Sequence, residues 1–155
     1  VKQGLAKVLT AQHGPFKGET FSLEPGSYFG DEALIADTIR NAEVIMQTDG
    51  VLGRLSNDHF QALVRPFLLS PAPDEIYQQA EHIEILDVRL PFETKIQPIE
   101  KSRNIPIAEF RNHMGEFKES CLYIIAPCDD RRSDLATYLM RQAGFEAYQL
   151  PSSQL

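Results

Sequence analysis

The sequence predicts two modules in series, an all-β module followed by an α/β module with a parallel sheet. The first is expected over residues 1–68, where short strand-like segments are separated by Gly- and Pro-bearing turns. The second is expected over residues 74–155, where apolar strands alternate with helical spacing. Residues 69–73 contain two prolines within three positions, which is typical of a linker.

The elements of the first module follow from local signals. Four segments have strand-like composition: 5–10, 19–23, 42–46 and 51–55. Asn57 is a suitable helix N-cap, so a helix is expected from Asp58 to Val64 that ends before Pro66.

The elements of the second module alternate in type. Strands are expected at 83–88, 121–126 and 145–150, and helices at 74–80, 107–113 and 133–143. The segment 121–126 is continuously apolar, as in strands that are buried on both faces. Gly144 is expected to end the last helix.

Composition narrows the classes of function. The 155 residues are 43% hydrophobic, as in ordinary globular proteins, and carry a net charge of −7. An acidic chain without a basic patch disfavours nucleic-acid binding. No apolar run reaches the length of a membrane span, no signal peptide is visible, and a cytoplasmic protein is expected. The four histidines share no metal-ligand spacing, so no metal site is expected.

A glycine, an acid and an arginine form the most specific pattern of the first module. Residues 29–35 read FGDEALI and residues 39–44 read IRNAEV. Backbone N–H groups at the helical turn after Gly30 favour an anion. Arg40 offers a forked cation that matches a phosphate, and Asp31 can accept a hydrogen bond from a sugar hydroxyl. Together they indicate a nucleotide with a cyclic phosphate.

This pattern resembles the phosphate-binding cassette of cyclic-nucleotide-binding domains, which reads F-G-E-x-A-L and then R-x-A-x-V. The resemblance implies the later part of a jelly-roll-like β-roll, without its N-terminal strands, and cyclic AMP or cyclic GMP as ligand; no other cofactor is expected. The implied binding residues are Gly30, Asp31, Glu32, Ala33, Arg40 and Asn41. Because the chain begins at Val1 rather than Met, a longer protein is expected. The alternative is a scaffold that binds no ligand.

The second candidate site follows the apolar strand at 121–126. The chain continues through Cys128 and a polar loop, 129–132, into the helix expected from Ser133. Ligand sites of α/β sheets lie at this carboxyl edge. A helix N-terminus and the two arginines of the loop favour a thiolate, whereas Asp129 and Asp130 oppose it. These two acids otherwise indicate a solvated turn.

Residues 74–155 resemble a rhodanese-like domain. The matching segments are LDVRLPFE at 86–93, NIPI at 104–107, the loop from Cys128 to Ser133, and AGFEAYQL at 143–150. The resemblance implies that Cys128, with Arg132 and Ser133, attacks a sulfur donor, carries a persulfide and passes the outer sulfur to a thiol acceptor. Several features differ from the family. The loop lacks its usual glycine and is one residue shorter, the family's G-H-I-x-G-A segment is replaced by residues 97–102, and its final Gly-Gly is replaced by two serines at 152–153.

Two functions of different classes remain open. The first is a cyclic-nucleotide-sensing module coupled to a sulfurtransferase that uses a Cys128 persulfide, with thiosulfate or a persulfide as donor. The second is a non-catalytic regulatory protein whose two domains act as binding surfaces in signalling. The expected partners are a cyclic nucleotide, a small sulfur donor and a thiol acceptor, with no nucleic acid and no membrane. A homodimer is left open.

Overall fold

The computed structural model describes residues 1–10, 20–40, 42–70, 72–128 and 130–150. The chain divides into two compact units, Val1–Phe60 and Gln61–Leu155. Each unit is described by itself below.

The first unit contains a three-stranded antiparallel sheet. Its strands are β1 (Ala6–Thr10), β2 (Thr20–Leu23) and β3 (Ala42–Met46), in the order β2-β1-β3. A six-residue helix, α1 (Asp31–Ala36), lies between β2 and β3 in sequence. The strand predicted at 51–55 is wrong: only Val51 pairs, in an isolated bridge.

Three helical segments follow one another along the chain, the first at the end of the first unit and the last in the second unit. They are α2 (Asn57–His59), a π-helical turn (Phe60–Val64) and α3 (Arg65–Leu68). Ser56, rather than the predicted Asn57, caps α2, because its hydroxyl accepts the His59 N–H at 3.3 Å. Pro66 does not end the helical run, since a proline in the first turn of α3 removes no needed N–H donor.

The second unit is built on a four-stranded parallel sheet. Its strands are β4 (Ile83–Asp87), β5 (Ser102–Asn104), β6 (Leu122–Ile125) and β7 (Ala147–Gln149), in the order β5-β4-β6-β7. Its helices are α4 (Asp74–Gln79), α5 (Pro91–Ile96), a 3₁₀ helix (Phe110–Glu116) and α6 (Arg132–Gln142). The helix predicted at 107–113 is therefore shifted and wound more tightly.

Strand β6 lies at the centre of the core because all four of its residues are buried. Tyr123 and Ile125 pack with residues of α6 and of the segment that contains the 3₁₀ helix. Leu122 and Ile124 point to the other face, where Ala72 packs against them. Burial on both faces explains the uninterrupted apolar sequence and fixes the strand that leads to Cys128.

The predicted fold class, a jelly-roll-like β-roll followed by an α/β domain, is wrong. The described residues of the first unit form one small antiparallel sheet, which is too few strands for a jelly roll. The fold that is found is a small α/β domain with a parallel sheet. The first module was inferred from strand-like composition and from one motif, and neither of these determines how strands pair.

The predicted linker, residues 69–73, lies in the second unit, and Pro71 is outside the described residues. The Arg141 guanidinium binds the preceding backbone, with Nη1 donating to Phe67 O and Nη2 donating to Ser70 O, both at 3.1 Å. The domain boundaries 1–68 and 74–155 stay a prediction. Among the described residues, no helix has the length and apolarity needed to cross a membrane.

Candidate functional site

The candidate site lies at the carboxyl edge of the parallel sheet. Cys128 follows the end of β6 by three residues, and α6 begins at Arg132. Beside it, β4 ends at Asp87 and leads into α5. Parallel strands bring these two loops to the same edge, where α/β sheets form their ligand sites.

Ser133 holds the Cys128 sulfur. Its hydroxyl oxygen lies 3.0 Å from Cys128 Sγ and 3.0 Å from the carbonyl oxygen of Ala126, and its side chain is buried. A hydroxyl has one proton to donate, so it serves either the carbonyl or the sulfur. The hydroxyl can therefore donate to the carbonyl beside a neutral thiol and turn to the sulfur when a thiolate forms.

Burial raises the pKa of the Cys128 thiol above its ordinary value of 9.0. The hydrogen bond from Ser133 and the charge of Arg132 act in the opposite direction, but Asp130 and Asp87 raise the pKa further. The positive features that the sequence indicated are thus outweighed. Cys128 is a protonated thiol at neutral pH, and only a small fraction is the nucleophilic thiolate.

Arg132 is bound by two carboxylates. Nη1 and Nη2 donate to Glu93 Oε2 and Oε1 at 2.6 and 2.8 Å, a bidentate pair. Nε lies 2.6 Å from Asp130 Oδ2. The hydrogen bond from Arg132 lowers the pKa of Glu93 to about 2, and the two carboxylates raise the pKa of Arg132. The charge of this guanidinium is therefore largely neutralised.

Asp130, the residue before the N-cap Arg131, also binds the start of α6. Its Oδ1 accepts the backbone N–H of Arg132 at 2.9 Å, so one carboxylate binds both the first helical amide and the guanidinium of the same residue. A group at a helix N-terminus that accepts backbone N–H bonds occupies the place where an anionic ligand would bind.

The loop after β4 is fixed by a buried ion pair. Asp87, which is 1% exposed, accepts from Arg89 Nε at 2.9 Å and from Arg89 Nη2 at 2.7 Å. Asn104 Nδ2 donates to the backbone oxygens of Asp87 and Arg89, at 2.8 and 2.9 Å. The pair and the amide orient this loop, and we assign them a structural role.

A small open pocket of about 220 Å³ lies beside these groups. It is lined by Arg89, Glu93, Ile96, Gln97 and Arg132. Two guanidinium groups and an apolar side chain thus border the space. Each guanidinium already has a carboxylate partner.

The structure brings the three predicted catalytic residues together. Cys128 and Ser133 are in contact, and Arg132 lies near enough to affect the titration of the thiol. Asp129 is outside the described residues. Sequence reasoning missed the roles of Glu93 and Asp130. Two signals could have identified these residues. An arginine in a loop needs a carboxylate partner such as Glu93, and an Asp two residues before a helix, such as Asp130, can accept a hydrogen bond from the first helical amide.

The predicted nucleotide-binding residues lie in the first unit. Gly30 adopts a left-handed conformation (φ 79°) before α1, and a Cβ built on it would lie 3.6 Å from Arg40 Nε. Asp31, Glu32 and Ala33 form the first turn of α1. Asn41 is outside the described residues. The helix is only six residues long, so its dipole is weak, and these residues stay a prediction.

No protein-family model and no curated protein matches the chain. Among solved structures, a rhodanese-related protein from Thermoplasma volcanium is 30% identical, over 48% of this chain and 74% of that one, with a TM-score of 0.42. A Lactobacillus plantarum protein is 22% identical over 61% and 87% of the two chains (TM-score 0.46). A single-domain sulfurtransferase of Saccharomyces cerevisiae is 21% identical over 57% and 77% (TM-score 0.41).

The structural neighbours are rhodanese-like domain proteins. Nothing found shows a cyclic-nucleotide-binding domain. Since the TM-scores lie below 0.5, any function has to be argued from the residues of this chain. Within the part of the chain that the structure describes, no group of His, Cys, Asp and Glu side chains could hold a metal ion.

Proposed function

We propose that the second unit is a slow sulfurtransferase that carries sulfur as a persulfide on Cys128. The proposal is supported chiefly by the contact between Cys128 Sγ and the Ser133 hydroxyl at the carboxyl edge of the sheet. This hydroxyl stabilises the thiolate at the moment of attack, because it can donate to a sulfur anion. The raised pKa of Cys128 limits the thiolate fraction and makes the enzyme slow.

The reaction proceeds in two displacements. The Cys128 thiolate attacks the outer sulfur of a donor such as thiosulfate, a new S–S bond forms, and sulfite leaves with the electron pair of the broken S–S bond. A thiophilic acceptor then attacks the outer sulfur of the persulfide, and the Cys128 thiolate leaves. The enzyme returns to its initial state, and no oxidant or reductant is consumed.

A second candidate is a rhodanese-like domain that binds a partner without catalysis. This candidate is favoured by the pairing of Arg132 with Glu93 and Asp130, which leaves little free positive charge for an anionic substrate. The short loop adds to the argument, because its described residues, Cys128 and 130–132, contain no left-handed position. Without a left-handed glycine, such a loop directs fewer backbone N–H groups toward the cysteine sulfur than a loop with the usual glycine does.

The two candidates differ in turnover. Thiocyanate formation from thiosulfate and cyanide should be slow but measurable for the wild type and absent in Cys128→Ser. Cys121→Ser is the matched control, because this second cysteine lies just before β6, at the amino end of the strand and away from the carboxyl edge. Equal activity in wild type and Cys128→Ser would overturn the proposal and leave the binding function.

A further inference from the structure

The Cys128 loop already contains an anion. Asp130 accepts the N-terminal amide of α6 at 2.9 Å and lies 2.6 Å from Arg132 Nε. Both contacts are those that an anionic donor such as thiosulfate would need from this loop. An outside anion therefore has to compete with a carboxylate that is covalently part of the chain.

The total charge around the sulfur also disfavours an anion. The two guanidinium groups nearest the pocket, Arg89 and Arg132, are matched by the carboxylates of Asp87, Glu93 and Asp130. These five groups together carry a charge of −1, and Arg131, the other cation of the loop, lies 3.5 Å from Asp134. A dianion would enter against repulsion, and a neutral molecule would not.

An apolar surface adjoins the pocket, whose own lining is mostly polar. Ile96, which lines the pocket, is 81% exposed, and Phe92, one helical turn earlier on α5, is 60% exposed. Residues four apart on a helix share a face, so these two side chains extend one apolar surface. Leu90, at the start of the same helix, is 41% exposed. Such a surface favours the body of an organic molecule over an inorganic anion.

We infer that Asp130 is a specificity-determining residue that makes the Cys128 site disfavour the thiosulfate dianion and favour organic persulfides whose R group carries no charge. This inference rests on the proposed function, since it names the donor class of the same site. The Cys128 thiolate attacks the outer sulfur of the donor in its protonated form, RS–SH. The donor S–S bond breaks, RS⁻ leaves with its electron pair, and Cys128 keeps the sulfur as a persulfide. The R group would lie against the apolar surface of α5 beside the pocket.

Charge selection can be measured without any sulfur transfer. Iodoacetamide and iodoacetate alkylate a thiolate by the same chemistry, have nearly the same shape, and differ by one negative charge. The ratio of their rates at Cys128, read by peptide mass spectrometry, cancels the thiolate fraction. The ratio therefore reports the charge around the sulfur and is independent of its pKa.

The test variant is Asp130→Asn, whose side-chain oxygen can still accept the Arg132 N–H and which removes the charge. We expect the iodoacetamide-to-iodoacetate ratio to fall by about three- to tenfold, as one charge about 4 Å away gives in a water-like dielectric. Added salt should lower the wild-type ratio in the same direction. If Asp130→Asn folds poorly, the measurement is repeated with Asp130→Ser, whose uncharged hydroxyl can also accept a hydrogen bond.

The matched control is Glu146→Gln, the same charge change on an exposed residue just before β7, at the amino edge of the sheet. It should leave the ratio unchanged. An Asp130→Asn ratio equal to wild type, or an equal fall in the control, overturns the inference. A shifted ratio without persulfide formation from an organic persulfide, in wild type or variant, would leave the charge selection standing and refute only the sulfurtransferase.

Discussion

The Ser133 hydroxyl is the feature of the site whose removal has the most definite consequence. Ser133→Ala deletes a donor that lies 3.0 Å from Cys128 Sγ and lowers the pKa of that thiol. Hydrogen bonds to charged groups contribute about 1.5–3 kcal/mol. Because each 1.4 kcal/mol is a factor of ten, the thiolate fraction at fixed pH should fall roughly ten- to a hundredfold.

The assay is the rate of iodoacetamide alkylation of Cys128 at neutral pH, followed by peptide mass spectrometry. The Ala126 carbonyl also loses a donor, so the variant should be less stable by on the order of 1–3 kcal/mol. Thermal melts under the same conditions ensure that the rates are measured on folded protein.

Thr137→Val is the matched control for this experiment. Thr137 is fully buried one turn further along α6, and its hydroxyl donates to Ser133 O at 2.8 Å. The isosteric variant should lose about 1 kcal/mol of stability and keep the wild-type alkylation rate. If Ser133→Ala alkylates as fast as wild type, the hydroxyl does not stabilise the thiolate, and the reasoning is refuted.

Four further predictions concern the stability of the fold, its dependence on pH, and the activity of the loop. Ile125→Ala should lower the free energy of unfolding by about 2–5 kcal/mol in urea titrations, whereas Ile96→Ala, at an 81% exposed position, should change it by less than about 0.5 kcal/mol. The guanidinium of Arg132 lowers the pKa of Glu93 to about 2, so this ion pair stabilises the fold fully above the ordinary pKa of 4.5 and progressively less as the pH falls toward 2. Glu93→Gln should therefore remove the fall in Tm that the wild type shows between these two pH values. Burial raises the pKa of Cys128 above the ordinary thiol value of 9.0. As the pH rises above 9.0 the thiol ionises more readily in the unfolded chain than in the folded protein, so the folded state loses stability. Cys128→Ser should therefore reduce the loss of Tm at alkaline pH. A glycine inserted after Asp130 should raise thiocyanate formation, and unchanged or lost activity would contradict the role given to the short loop.

The α/β part of the fold was predictable from the sequence because its signals are local and strong. The apolar run at 121–126 predicted β6, which is buried on both faces, and Gly144, at φ 91°, ends the helical region after α6 as expected. The first unit was not predictable in the same way. Strand-like segments and one cassette motif suggested a β-roll, but the pairing of strands depends on contacts that are distant in sequence.

The candidate site was predicted in part. The structure places Ser133 in contact with the Cys128 sulfur and Arg132 near it, and the catalytic role of the three residues stays a prediction. The electrostatics of the site were not predictable, because they depend on Glu93, 39 residues before Arg132 in the chain, and on the orientation of Asp130. Whether an arginine is free or already paired is decided by tertiary contacts, and sequence spacing does not encode it.

The central claim is that Cys128 carries a persulfide, and intact-protein mass spectrometry tests it most directly. The reduced protein is incubated with a small organic persulfide whose R group carries no charge, and the excess donor is then removed. The mass of the protein is measured for wild type, Cys121→Ser and Cys128→Ser in parallel. We predict a gain of one sulfur atom in wild type and Cys121→Ser that cyanide removes, and no gain in Cys128→Ser. A wild-type mass that does not change, or a gain that persists in Cys128→Ser, would contradict the account.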